Sequence, residues 1–444
     1  MNTKCELRTG WPRWTLALAA LSLTTLPSTA WQAASNLTVR AEAMVKQGYD
    51  SNVYLQDQQP DLTKVPRAVQ PFTSSFFTTL TPGIFLDYKP CAAFNLAASY
   101  APAISFYYST PSENNIANRV LANLGGTVSE VPWEIGNAVT VITGQDEGLF
   151  FGGPPLAPTT ITGGNAPALG GIPARDRRDA TVYRGLYRAT WTSGKFFVRP
   201  VSTAYVHNFQ TIQKDSRAGM PDYGYENYVD RSEFAGGLDA GYEVAKNLRV
   251  FLGYRYGVEN QGSMVGSPYQ YDTTYNRPGG GIEGQPLPWL KLAIALGNDI
   301  HRTSSYPTAP GFQRNYSKLW SDTTITFLPT AQDSIAFKFT RNTQPAFSSP
   351  SVYDDTVYDL AGRHKFSSRW AVGAGVRLYN GDWFEPVKRN DWIYTVAASL
   401  AYTHNAHWGT ELAYAYDWTQ SEIPNTSGRE YTRSLVWLSV KWSP

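Results

Sequence analysis

Histidine is the side chain that most often supplies acid–base catalysis or metal binding near neutral pH, and this chain of 444 residues contains five. They are spread along the sequence at His207, His301, His364, His404 and His407. No Ser–His–acid cluster, HExxH motif or glycine-rich phosphate loop accompanies them, and GSMVGS at 262–267 lacks the Gly-x-Ser-x-Gly spacing of a nucleophile elbow. We therefore predict that the protein is not an enzyme and has no catalytic residue, metal site or cofactor.

Charged side chains offer a second kind of chemistry, because they recur on segments in which large apolar residues occupy every other position. Within 248–259, Leu, Val and Tyr alternate with a series that includes Arg249 and Arg255. A strand turns successive side chains to opposite faces, so one face of such a segment is apolar and the other is small, polar or charged. The candidate charges on the polar face are Arg184, Arg188, Arg199, Glu233, Asp239, Glu243, Arg249 and Arg255.

These candidate charges belong to four consecutive predicted strands. In chain order they would form a basic stripe, an acidic stripe and a second basic stripe on the polar face of the sheet. Opposed stripes create a transverse field that orients polar solutes in a pore. The same charges could equally pair with one another without functional consequence, and the sequence leaves both interpretations open.

The composition indicates what kind of protein would carry such segments. Aromatic residues make up 14% of the chain, with 28 Tyr and 14 Trp, whereas charged residues make up 17%. Soluble domains are about 25% charged, so this surface is short of charge and rich in Tyr and Trp. The mean hydropathy of −0.34 shows that no large share of the chain is continuously apolar. This combination fits a sheet that faces lipid on one side and water on the other.

The alternating segments also have the length that membrane strands require. They run for ten or more residues, which a tilted strand needs to cross a bilayer. A soluble β-sandwich would have shorter strands and a heavily charged outer face. A sheet in lipid must close on itself to leave no unpaired edge. We therefore predict an all-β fold, a transmembrane antiparallel up-and-down β-barrel.

Connection lengths give an independent indication of this fold. The predicted strands are 37–47, 76–88, 92–108, 118–129, 133–143, 181–192, 195–208, 231–244, 248–259, 273–283, 289–301, 316–328, 333–341, 355–366, 369–379, 391–403, 407–418 and 430–442. Short and long connections alternate between them, as the short periplasmic turns and long external loops of bacterial outer-membrane barrels do. The count is 18, but 16 stays open because strands 118–129, 273–283 and 355–366 alternate poorly.

The first 30 residues have the features of a secretory signal peptide. Lys4, Arg8 and Arg13 precede the apolar stretch LALAALSLTTL, and small residues end at Ala30. We predict cleavage after Ala30, which leaves residues 31–444 as a single barrel domain with Cys91 as its one cysteine. Because the signal holds three of the 38 basic and one of the 36 acidic residues, the remaining chain would be formally neutral. Such a balance gives no support for a nucleic-acid partner.

Tryptophans gather at one end of the predicted strands. Those beside a short turn are Trp133, Trp191, Trp289, Trp370 and Trp408, and Trp442 ends the last strand. An indole prefers the membrane interface, where its ring is buried and its N–H group is wet. We therefore predict an interfacial aromatic belt at the short turns, with turn-flanking core packing in a soluble β-protein as the alternative.

Two segments of the chain resemble a known family. AEAMVKQGYDSNVYL (41–55) is similar to the opening of the putative β-barrel porins, in which a Gly-Tyr-Asp-Asn-like turn ends the first strand. YTRSLVWLSVKW (431–442) is similar to the C-terminal signal that the barrel-assembly machinery reads, with Val436, Leu438, Val440 and Trp442 as its alternating residues. The family pattern stops at the final aromatic residue, whereas Ser443 and Pro444 follow here. The whole chain after residue 30 resembles a bacterial outer-membrane porin.

The resemblance implies a location, partners and a constriction. A porin lies in outer-membrane lipid, is inserted by the barrel-assembly machinery, passes small polar solutes and can form a homo-oligomer. In general porins the third loop often bends into the barrel and narrows it. The corresponding loop here is 144–180, with Arg175, Arg177 and Arg178 as candidate constriction charges. Its density of Gly and Pro fits an external loop as well.

The sequence leaves two functions open besides passive diffusion. An export barrel for an anionic exopolysaccharide would need a continuous basic path through the lumen, and the predicted acidic stripe counts against it. A plugged barrel that displays its loops for adhesion or structure would not conduct ions. The main expectation is an outer-membrane channel for passive diffusion of small hydrophilic solutes or ions.

Overall fold

The computed structural model describes residues 31–34, 36–55, 72–144, 179–210, 229–263, 267–304, 307–346, 351–385, 388–422 and 430–443. The predicted signal peptide and nearly all of the predicted third loop lie outside these described residues. Within them, every element is a β-strand apart from one short 3-10 helix, Pro111–Glu113. No helix in this part of the chain is long and apolar enough to cross a membrane.

Eighteen strands of the described residues form one sheet. They are β1 (Leu37–Asp50), β2 (Ser75–Cys91), β3 (Phe94–Tyr100 with Ala103–Tyr107), β4 (Asn115–Val128), β5 (Val131–Thr143), β6 (Ala180–Ala189 with Trp191–Ser193), β7 (Phe196–Phe209), β8 (Arg231–Ala245), β9 (Leu248–Gln261), β10 (Thr273–Leu287), β11 (Leu290–Thr303), β12 (Asn315–Phe327), β13 (Asp333–Pro345), β14 (Val352–Lys365), β15 (Trp370–Trp383), β16 (Asn390–Thr403), β17 (Trp408–Glu422) and β18 (Thr432–Trp442). The break in β3 falls at Pro102, which has no N–H group to donate to a ladder.

The sheet closes on itself. Each strand pairs antiparallel with the next along the chain. The closing ladder joins β18 to β1, from Trp442 opposite Ala43 to Leu435 opposite Asp50. The short strand Trp31–Ala34 pairs with β1 where β18 has already ended. The predicted antiparallel barrel is therefore confirmed, with 18 strands rather than 16.

The two ends of the barrel differ. At one end, which we name the short-turn end, the connections are 92–93, 129–130, 194–195, 246–247, 288–289, 328–332, 366–369 and 404–407. Ser129 and Glu130 have φ values of 49° and 68°, and positive φ at both central residues gives the turn that matches the twist of a hairpin. The connections at the other end, the long-loop end, are longer. The predicted alternation of short and long connections is therefore present.

The outward face of the wall is apolar. Leu252 in β9 is 76% exposed and Phe196 in β7 is 67% exposed. In β18 the exposed apolar side chains are Val436, Leu438 and Val440, and the residues between them point inwards. Soluble monomers rarely expose contiguous apolar patches larger than a few hundred Å². An apolar surface that surrounds nearly the whole wall therefore indicates a nonpolar environment around the barrel.

For two of the three strands that alternate poorly, 273–283 and 355–366, the structure gives a physical reason. β14 begins at Val352 rather than 355, and its first residues are buried on both faces, so polarity has no reason to alternate there. β13 continues past the predicted end at Arg341 to Pro345. In β10 the run 279–281 is all glycine, which leaves no side chain to show a period.

Candidate channel lining

The inner wall near the short-turn end encloses open space. A cavity of about 550 Å³ lies there against strands β5 to β10. Its charged lining residues are Glu134, Arg188, Arg199, Glu243, Arg249 and Glu283. Three of them are acidic and three are basic, so the cavity presents both signs of charge to a solute.

Arg199 is the centre of a charge cluster on this wall. Its Nε donates to Oδ2 of Asp239 at 2.9 Å, and its Nη1 donates to both carboxylate oxygens of Glu283 at 2.8 Å. The guanidinium lies 5.5 Å from the ring centroid of Phe197 and 5.1 Å from that of Phe251. Arg199 therefore links β7, β8 and β10 from a fixed position between two rings and two acids.

Arg255 and Arg188 are paired as well. Nη2 of Arg255 lies 2.7 Å from Oδ1 of Asp239, so this carboxylate is shared by two arginines. Nη2 of Arg188 lies 2.7 Å from Oε2 of Glu134 on the adjacent strand. Both partners of the Arg188 pair are partly exposed, so it borders the cavity directly.

Glu243 and Arg249 face each other across the β8–β9 ladder beside the short turn. The guanidinium of Arg249 lies 5.4 Å from the ring centroid of Phe197. Neither charge has an ion-pair partner among the described residues. They are therefore the predicted charges in this cavity that no ion pair neutralises.

The two remaining predicted charges lie towards the long-loop end. The guanidinium of Arg184 lies 5.5 Å from the ring centroid of Tyr205. Glu233 accepts a hydrogen bond from the Tyr275 hydroxyl at 2.8 Å and lies 3.5 Å from Nη2 of Arg231. Acidic and basic side chains of neighbouring strands are thus interleaved, and three of the predicted charges, Arg199, Asp239 and Arg255, form one network.

Sequence reasoning missed part of this lining. Glu134 and Glu283 lie on the same strand faces as the predicted charges but were not selected. Buried Arg–Asp pairs nearer the long-loop end were also missed, namely Arg277–Asp299, Arg377–Asp359, Arg389–Asp391 and Arg433–Asp50. The two-residue period could have placed most of these residues on the inner face. No sequence signal indicates which acid each arginine contacts, because that depends on the register between strands.

The predicted tryptophans occupy the short-turn end. Trp191, Trp289, Trp370 and Trp408 are exposed there, while Trp133 and Trp442 are partly buried. The ring of Trp370 lies 4.6 Å from that of Tyr402 on the next strand, and Trp408 faces Trp442 across the β17–β18 ladder. The loop arginines Arg175, Arg177 and Arg178 lie outside the described residues.

The histidines take part in separate contacts. Nδ1 of His364 lies 2.6 Å from Oδ1 of Asp333 at the short-turn end. The ring of His301 stacks on Tyr316, with centroids 4.8 Å apart. In the described part of the chain, no group of three or more His, Cys, Asp or Glu side chains is arranged to hold a metal ion.

Comparisons with known proteins find similarity only at the level of solved structures. No family model matches the sequence, and no curated protein matches it. A loop L8 deletion mutant of OmpT, an outer membrane protein of Vibrio cholerae, is 10% identical, with 92% of this chain and 100% of that chain covered and a TM-score of 0.39. The outer membrane protein opdK from Pseudomonas aeruginosa is 9% identical, with 91% and 99% covered and a TM-score of 0.41.

OccK2 (OpdF) from Pseudomonas aeruginosa is 10% identical, with 91% of this chain and 98% of that chain covered and a TM-score of 0.41. Similarities of this size carry no conclusion about activity. The assignment of a closed barrel therefore rests on its own strand pairing.

Proposed function

We propose that this protein is an outer-membrane channel for the passive diffusion of small hydrophilic solutes or ions. The observation that carries the proposal is the contrast between the two faces of one closed wall. Leucine, valine and aromatic side chains cover the outside, whereas paired and free charges line the inside. Lipid would surround the first face, and water would fill the space along the second.

The position of the tryptophans suggests the orientation in the membrane. Indoles at the short-turn end would lie at one lipid–water interface. Short turns face the periplasm in bacterial outer-membrane barrels, so the long loops would face outwards. Insertion by the barrel-assembly machinery through Val436, Leu438, Val440 and Trp442, after removal of residues 1–30 as a signal peptide, belongs to the same proposal.

The mixture of charges suggests weak ion selectivity. Most inner arginines are neutralised by a carboxylate within hydrogen-bond distance, so neither sign dominates the cavity. An exporter of anionic polysaccharide is less well supported, because Glu134, Glu243 and Glu283 line the same cavity as the basic residues. The burial of inner side chains such as Asp50, Tyr353 and Asp391 at the long-loop end favours the plugged barrel as the second candidate.

Reconstitution into planar bilayers separates these functions. A diffusion channel should give stepwise ion conductance when purified, folded protein is added, and polyanions should not block it selectively. Folded protein that never conducts would exclude the channel and favour the plugged barrel. Block by a polyanion at low concentration would instead support the exporter.

A further inference from the structure

At the long-loop end β13 separates from β12, whereas β14 stays paired with β15 as far as Tyr353 opposite Trp383. The ladder between β12 and β13 ends where Ser321 faces Arg341, although β12 continues to Asn315 in its pairing with β11. The β13–β14 ladder continues further, to Pro345 opposite Val352. This hairpin therefore extends beyond its last pairing with β12. We name residues 342–346 and 351–356 the hairpin end.

The hairpin end contacts the inner face of strands that are not its neighbours. Nη1 of Arg231 donates to the Pro345 carbonyl at 3.3 Å, and Nε2 of Gln261 donates to the Ala346 carbonyl at 2.6 Å. Arg231 and Gln261 face each other on β8 and β9. Both occupy inward positions and are almost fully buried. The hairpin end therefore lies inside the mouth of the barrel.

A second set of contacts holds the base of the hairpin end. Oδ2 of Asp354 lies 3.2 Å from Nζ of Lys318 on β12 and 2.9 Å from Nη2 of Arg341. The ring of Tyr353 stacks on Trp383, with centroids 5.2 Å apart. These contacts tie the base of the hairpin end to β12 and β15.

Burial shows how completely the hairpin end is enclosed. Every residue from Ser351 to Thr356 is buried, and so are those from Thr343 to Ala346. A strand in the barrel wall alternates between an exposed outer side chain and an inner one, as β9 does. A hairpin that is buried on both faces has protein on both sides, as expected for a segment inside the lumen.

We propose that the hairpin end forms the constriction that sets the size limit of the channel. It reaches from the wall at β14 and β15 to the inner face of β8 and β9, at the long-loop end of the lumen. The third loop is not required for this role. Because the inference rests on the proposed channel function, its test includes outcomes that separate the two.

The first test removes the hairpin end. Asn342 faces Asp355 across the ladder, so replacing residues 343–354 with Asn-Gly should join the two strands by a two-residue turn. The expected result is a rise of at least about two-fold in single-channel conductance, together with uptake of larger uncharged sugars in a vesicle-swelling assay, because the narrowest section limits conduction.

Four outcomes separate the constriction from the channel function. A higher conductance in the shortened protein supports the constriction, and an unchanged conductance overturns it. If only the shortened protein conducts, the hairpin end is the barrier but the native protein is not an open channel. If neither protein conducts although both are folded, the constriction and the channel function are both wrong.

The second test leaves the hairpin intact and guards against misfolding of the shortened protein. Gln261→Cys and Ala346→Cys, in a Cys91→Ser background, place two thiols at the docking contact. A short thiol-cleavable bis-methanethiosulfonate reagent should cross-link them. The cross-linked protein should conduct no more than the parent protein, and dithiothreitol should reverse the cross-link. The matched controls are the two single-cysteine proteins. Absence of the cross-link, or a cross-linked protein that conducts larger solutes, would overturn the proposal.

Discussion

Nη2 of Arg433 lies 2.6 Å from Oδ2 of Asp50, although 383 residues separate the two in the sequence. Nε of the same arginine donates to the second carboxylate oxygen at 3.0 Å, so the contact is bidentate. Both side chains are almost fully buried on the inner face of the β1–β18 seam. Near the other end of this seam, the partly exposed pair Lys441–Glu42 spans the same two strands at 2.8 Å.

The buried pair should matter more for stability than the exposed pair. Arg433→Gln leaves the Asp50 carboxylate buried without a counter-charge, so we expect the free energy of unfolding to fall by about 3–5 kcal/mol. Lys441→Gln removes a solvent-screened pair and should lower it by less than about 1 kcal/mol. Urea unfolding in lipid vesicles, followed by tryptophan fluorescence, measures both. Equal effects would mean that the seam pair is not buried.

Glycine is required where an inner ring lies against the wall. A Cβ atom added to Gly241 would lie 2.3 Å from the Phe197 ring, and overpacking of this kind lowers stability by about 1–3 kcal/mol. Gly236 on the same strand faces open space. We expect Gly241→Val to lower the urea midpoint and Gly236→Val to leave it unchanged. A loss of stability in both proteins would show that backbone conformation, rather than the ring contact, requires glycine.

A new charge should lower stability on the outer face of the wall but not on the inner face. Leu252 is the most exposed large apolar side chain on the outer face. Leu252→Arg should make folding into the bilayer less favourable by up to about 2–4 kcal/mol, the cost of a lipid-facing arginine at the bilayer midplane. Ala293 is an inward residue opposite Glu283, and Ala293→Arg should change stability little.

Vesicle-folding titrations and heat-modifiable migration on gels measure these two variants. If Leu252→Arg folded as well as the parent protein, lipid would not cover the outer face of β9. If Ala293→Arg were the more damaging change, the assignment of inner and outer faces would be reversed.

Ion selectivity should depend on the two cavity charges without an ion-pair partner. Arg249→Gln should shift the permeability ratio towards cations and Glu243→Gln towards anions, each about two- to five-fold, which corresponds to roughly 0.4–1 kcal/mol for a unit charge near a solvated ion. Reversal potentials across a KCl gradient measure this ratio. The double variant should return it close to that of the parent protein.

Salt provides the control for this electrostatic effect. The Debye length falls from about 10 Å at 0.1 M to about 3 Å at 1 M salt. The difference between Arg249→Gln and the parent protein should therefore shrink as KCl is raised. A difference that persists at 1 M would indicate a change in pore shape rather than in charge.

The local pattern of this sequence predicts much of the fold. In β18, the alternation of Val436, Leu438 and Val440 with inward residues is a property of neighbouring positions, because a strand turns successive side chains to opposite faces. The same rule assigns Arg199, Asp239 and Arg255 to one face of their strands. The alternation of short and long connections predicts 18 strands with 16 as an alternative, and the ladders of the closed sheet decide for 18.

Contacts between distant segments required the tertiary structure. The sequence shows that Asp50 and Arg433 are charged, but only the register of the closed sheet brings them together. The strand predicted at 355–366 begins at Val352 in the structure, and its first five residues are buried on both faces, so local polarity does not report there which face is inside. The docking of Pro345 on Arg231 depends on where the sheet curves and separates, and no short stretch of sequence carries that information.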